Sequence, residues 1–164
     1  MRELKEINYR QGALRFNLPA DWIEEYGKES GGTFFERAAD SGTLRLSVVV
    51  LNTKGKTDSD ALERFLKTRP EARAKGAQIC KELNGNVVLQ FIQRTNENGD
   101  DMSIVWWFVA SGSFEDHIQI AMFSFSLLNI NLQKEQNKDD ILLLDQELRK
   151  TEFVKIPQIS GSHS

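Results

Sequence analysis

Residues 102–111, Met-Ser-Ile-Val-Trp-Trp-Phe-Val-Ala-Ser, offer water almost nothing on either side. In an extended strand successive side chains point to opposite faces, so Trp106 and Trp107 look in opposite directions and both faces are apolar. Such a strand is an aggregation hazard at a sheet edge, so it belongs inside a sheet and needs cover on both sides. Short turns lead into and out of its neighbours, which makes those neighbours antiparallel. Two-sided cover calls for helices on both faces. The patterning therefore predicts an α+β fold: an α/β/α sandwich around a sheet of about seven strands, mostly antiparallel.

The remaining segments fill in that plan. Leu14, Phe16 and Leu18 alternate with Arg15 and Asn17, giving a strand over 13–18 that Pro19 ends. Asp21 is a candidate cap for a short helical segment carrying Trp22, Ile23 and Tyr26. Strands are expected over 33–38 and 43–51, joined by Asp40-Ser41-Gly42. Asp58 or Ser59 caps a helix with Leu62, Phe65 and Leu66 at helical spacing, and Pro70 breaks it before a weaker helical stretch over 71–75. Strands follow over 77–83, 86–95, 102–111 and 114–127. They are separated by Asn84-Gly85, a polar loop over 96–101, and Ser111-Gly112-Ser113. A last helix, beginning at 133 or 138 and ending at 150, carries Ile141, Leu144 and Leu148, widened by Leu142 and Leu143.

The 164 residues suit one domain, expected over 13–156, with a loose charged N-terminal arm over 1–12 and a disordered Ser/Gly-rich tail over 157–164. A net charge of −3 and the lack of a Lys/Arg-rich run argue against nucleic-acid binding. The first ten residues lack the apolar stretch of a signal peptide. The longest apolar run, 104–110, is too short for membrane insertion. The single cysteine, Cys80, excludes an internal disulfide, and a cytoplasmic location is the simplest expectation.

Candidate chemistry is sparse. His117 follows Glu115 and Asp116, a setting for a general base or a metal ligand, but a strand-end histidine facing water is the better reading. Zinc needs further ligands, and no second histidine is placed to help. Cys80 has no identifiable base and reads as a structural thiol. Glu97, Asn98, Asp100 and Asp101 fit no calcium-loop spacing. Asp139 and Asp140 suit the first turn of a helix. The serines at 111, 113, 124 and 126 form no nucleophile elbow, and Gly31-Gly32 is no phosphate loop. No catalytic, cofactor-binding or metal residue is assigned, and no cofactor is expected.

The element order, together with Phe16-Asn17-Leu18-Pro19-Ala20-Asp21-Trp22 at its start, resembles the PsbP/Mog-like superfamily over roughly residues 13–154. Members typically open with an aromatic residue, a proline and a tryptophan like Phe16, Pro19 and Trp22, and close with a helix like 141–153. The resemblance implies a bacterial relative within a group that shares a scaffold for binding macromolecules and no common catalytic set. The expected function is a non-enzymatic protein-interaction module: an adaptor, chaperone or inhibitor-type partner that binds another protein or a second copy of itself. Trp106, Trp107, Val88, Ile92, Phe123 and Phe125 are the expected partner surface, on an apolar sheet face or beside the last helix. Two alternatives stand beside it. One is a small-molecule or lipid carrier with a pocket between sheet and helix, lined by Trp22, Phe34, Trp106 or Trp107. The other is an enzyme with a site near His117.

Overall fold

The computed structural model describes residues 2–27 and 31–155. Its elements run β1 (Leu4–Tyr9), β2 (Leu14–Pro19), β3 (Ile23–Tyr26), β4 (Gly32–Phe35), β5 (Thr43–Asn52), α1 (Ser59–Lys67), β6 (Gln78–Lys81), β7 (Val87–Glu97), β8 (Asp100–Ser111), β9 (His117–Leu128), α2 (Glu135–Leu148) and β10 (Glu152–Phe153). Short 3₁₀ turns lie at Pro70–Arg73 and Asn129–Asn131. Seven strands form one sheet in the order β3-β4-β5-β9-β8-β7-β6, and every neighbouring pair is antiparallel. A second sheet has three strands in the order β1-β2-β10.

β8 lies inside the large sheet between β9 and β7, as its two apolar faces require. On what we term the inner face, Val88, Val105, Trp107, Val109, Phe123 and Phe125 are buried. They pack against Leu14, Phe16 and Leu18 of β2 and against Leu144 and Leu148 of α2. On the outer face, Val87, Leu89, Phe91, Phe108, Ala110, Ile118 and Ile120 pack under Leu62 and Leu66 of α1. Helices thus lie on both faces, and the small sheet shares the inner face with α2. α1 starts where its cap permits: Asp58 Oδ1 accepts from the Ala61 backbone N–H at 2.8 Å, satisfying one of the helix's free donors.

The structure departs from the sequence expectations in four places. The stretch 1–12 is not a loose arm, because residues 4–9 pair with β2 along their whole length and bury Ile7 and Tyr9. Charged Lys5 and Glu6 hide that alternation. The segment expected to be helical after Asp21 is instead strand β3, whose Ile23 pairs with Phe35; the hairpin partner outweighs the helix cap. The strand 13–18 joins the small sheet, and β3 takes its place among the seven. The loop 96–101 shrinks to a two-residue turn, since Asn98 and Gly99 adopt φ of 54° and 88° and let β7 and β8 pair up to Glu97 and Asp100. The tail 157–164, with His163, lies outside the described residues.

Candidate functional site

Cover on the outer face is incomplete. α1 and the Pro70–Arg73 turn sit over β6, β7 and the ends of β8 and β9 that carry Phe108, Ala110, Ile118 and Ile120. The register then carries the same face on to Trp106 opposite Ser124, Ile104 opposite Ser126, Arg45 opposite Ser124, Ser47 opposite Met122, and Thr33 opposite Arg45. Among the described residues no helix lies over this half. Its composition agrees: β9 presents Ile118 and Ile120 under the helix, then Met122, then Ser124 and Ser126.

Trp106 stands on the boundary between the two halves. Its ring stacks on Phe91 at a centroid distance of 6.1 Å and meets the Phe108 ring edge-on at 5.7 Å. Its Nε1 donates to Gln93 Oε1 at 2.9 Å. Three fixed neighbours hold a half-buried indole in one place, so little side-chain entropy is lost when a ligand covers it. Met122 lies beside it, and shallow depressions open on either side of the pair. One, of about 420 Å³, runs toward Pro70, Ala74 and Phe108. The Arg69 guanidinium lies 5.3 Å over the Phe108 ring and is tied to Glu71 by a 3.1 Å Nε–Oε1 contact. The other, of about 430 Å³, is lined by Thr33, Arg45, Ser47 and Ser124. Among the described residues, Arg45 is its only charged lining group, and it is exposed.

The six residues expected to form one partner surface do not lie together. Trp107, Val88, Phe123 and Phe125 are buried in the inner core, because the small sheet and α2 between them cover that face. The Trp107 indole Nε1 donates to Asp145 Oδ1 of α2 at 3.0 Å, a core contact. Only Trp106 and Ile92 reach the surface, and they face opposite ways: Trp106 pairs with Phe91 on the outer face, while Ile92 pairs with Val105 on the inner one. Val49 and Leu51 pack on the outer face. The residues that line the open half beside Trp106 and that sequence reasoning did not single out are Met122, Arg45, Ser47 and Thr33, with Ser124 buried among the lining positions. Their signal was present as a change along one strand face from Ile118 and Ile120 to Ser124 and Ser126, which marks where cover ends.

The other candidates are also placed. His117 Nδ1 lies 2.6 Å from Asp116 Oδ1, its Nε2 lies 3.2 Å from Gln119 Nε2, and its ring stacks on Phe114 at 4.5 Å. The His117 contact holds the Asp116 carboxyl below its ordinary range. Both ring nitrogens are thus occupied within two residues along the chain. Cys80 is half-buried near the β6 edge. The proposed carrier pocket is filled: Trp22, Phe34 and Trp107 are packed core, with Trp22 stacked on Phe125. A cleft of about 660 Å³ lies elsewhere, at the end of the sheet where Thr57, Ser59, Asn86, Ser113 and Thr151 meet. No group of three or more His, Cys, Asp or Glu side chains suited to a metal ion occurs among the described residues, and no helix there is long and apolar enough to cross a membrane.

Comparison with known proteins identifies the fold. No family model and no curated protein matches the sequence. Among solved structures, one from Bacteroides thetaiotaomicron VPI-5482 matches over 94% of this chain with 16% identity and a TM-score of 0.61; the match spans 50% of that chain, so this protein corresponds to about half its length. LpqN of Mycobacterium tuberculosis, described as involved in cell envelope biogenesis, matches with 13% identity and a TM-score of 0.55 over 93% of this chain and 91% of its own. The Saccharomyces cerevisiae Ran-binding protein Mog1p matches with 13% identity and a TM-score of 0.55 over 94% of this chain and 97% of its own. The PsbP/Mog-like resemblance read from the sequence therefore holds at the level of fold.

Proposed function

We propose that this protein is a non-enzymatic binding module that docks a protein partner on the open half of its large sheet, over Trp106 and Met122. The observation that carries this reading is the preset indole at the edge of a sheet half over which the described residues place no helix. Aromatic side chains locked in position are the usual anchors of binding energy. The partner that fits brings an apolar side chain to the Trp106–Met122 ridge and an acidic group to Arg45, the one charged group lining that depression among the described residues. Mog1p, of the same fold, is described as Ran-binding, which supports a protein as the occupant.

A photo-crosslinking residue at position 47, in the cells the protein comes from, tests this. A discrete adduct is expected from position 47 and none from position 142, which is exposed on α2. Adducts confined to position 142, or none at either, would overturn the proposal. The 660 Å³ cleft supports a second reading, a small polar ligand held by hydroxyl and amide groups. Native mass spectrometry of freshly purified protein, showing a retained mass lost on Asn86→Ala, would favour it.

A further inference from the structure

Where α2 meets the segment after β4, two carboxyl groups are buried against one guanidinium. Asp140, in the second turn of α2, is 1% exposed. Its Oδ1 accepts from Arg2 Nη1 at 2.5 Å, and its Oδ2 is buried with no hydrogen-bond partner among the described residues. Glu36 is the second acid: its Oε2 lies 3.7 Å from Arg2 Nη2, and its side chain is only 10% exposed. Glu36 Oε1 accepts from Gln136 Nε2 at 2.8 Å, so α2 reaches Glu36 from two successive turns. The remaining groups around the seam do not balance the charge. Asp21 lies 3.9 Å from Arg2 but is mostly in water, Lys134 is paired with Asp40 at 2.6 Å on the rim, and Asn137 is neutral and donates to the Asp40 carbonyl. Asp139 is exposed.

Two buried acids thus share one cation. Ionised together they would leave an uncompensated negative charge in a poorly solvated place, a cost that protein interiors avoid by retaining a proton. The orphan Oδ2 is the buried atom left to carry that proton, and Glu36, held on the same guanidinium, is the acceptor it is offered, because two carboxyl groups bond to each other only through a hydrogen between them. We infer that Glu36 and Asp140 share one proton beneath Arg2, and that this proton latches α2 to the segment following β4. Burial pushes the Asp140 carboxyl up to about 7, and Glu36 adds to the rise while Arg2 opposes it. The latch is closed in mildly acid solution and strained above neutrality, where the second ionisation sets the two acids against each other.

Carboxyl-carbon NMR on the intact chain, titrated from about pH 4 to pH 9, tests the latch. An Asp140 midpoint between about 6 and 8 is expected. Glu36→Gln should lower the Asp140 midpoint by about one unit or more, because Arg2 then faces a single acid. Amide exchange over residues 135–141, corrected for its intrinsic pH dependence, should quicken several-fold between pH 6 and pH 8 in the natural chain and stay flat in Glu36→Gln. If Glu36→Gln fails to fold, Asp140→Asn should abolish both the buried midpoint and the change in exchange. An Asp140 midpoint below about 5, a midpoint indifferent to Glu36→Gln, or exchange that quickens equally in the variant would overturn the inference.

Discussion

Trp22→Ala offers the sharpest test of how the first strands are held. The indole is 2% exposed and stacks on Phe125 with centroids 6.1 Å apart and planes 12° from parallel. Burying roughly 200 Å² of aromatic side chain at about 25 cal/mol per Å² contributes about 5 kcal/mol, an upper figure because the unfolded chain already hides some of that area. One feature works against the site: Trp22 Nε1 is buried with no hydrogen-bond partner among the described residues. Removing it relieves about 1–2 kcal/mol. The net loss expected for Trp22→Ala is therefore about 3–4 kcal/mol. With a urea slope of about 2 kcal/mol/M, the unfolding midpoint should drop by about 1.5–2 M at an unchanged slope. Trp22→Phe keeps an aromatic ring on Phe125 and discards the orphan N–H, so it should cost about 1 kcal/mol or less. A Trp22→Ala loss below about 1 kcal/mol, or a Trp22→Phe loss as large as that of alanine, would refute this reasoning.

Other expectations follow from single contacts. Gly112→Ala would place a Cβ 2.1 Å from the Thr57 carbonyl oxygen, in a seam also fixed by the Thr57 N to Gly112 O hydrogen bond of 3.0 Å, so it should lower stability by about 2–4 kcal/mol, read by thermal unfolding. Asp58→Ala removes the α1 cap and should cost about 1 kcal/mol in urea. The native state keeps the Asp140 proton that an unfolded chain gives up near pH 4, so denaturation midpoints should fall as pH rises from about 4 to about 7 and then level off, a change on the order of 1–3 kcal/mol. Asp140→Asn should flatten that slope.

Much of the architecture was legible because period-2 alternation and turn chemistry are local. The apolar run around Trp106 and Trp107 required an interior strand, and Leu62 and Leu66 required a helix over it. Sheet membership was not legible. Leu14, Phe16 and Leu18 alternate correctly whichever sheet they join, and only the pairing with Leu4–Tyr9 and Glu152–Phe153 decides. β3 escaped because Ile23 and Tyr26 are spaced for a helix as readily as for a strand, and the Phe35 partner is what selects the strand. The partner surface was misassigned for a similar reason. Val88, Phe123 and Phe125 do share one face, but whether that face is covered depends on β1 and β2 docking there, which no local pattern reveals. Trp106 and Trp107 were correctly separated by face. Which of them stays near solvent is decided by how far α1 and its following turn extend.

The central claim is that Trp106 anchors a partner on the open outer face, and a titration of purified partner against three proteins tests it directly. Calorimetry should show Trp106→Ala weakening binding by about ten-fold or more while lowering stability by only about 1 kcal/mol, since the ring is half-buried at the surface. Ile92→Ala, on the opposite face, should bind like the natural chain. Unchanged affinity in Trp106→Ala, or a loss that follows Ile92→Ala instead, would contradict the account.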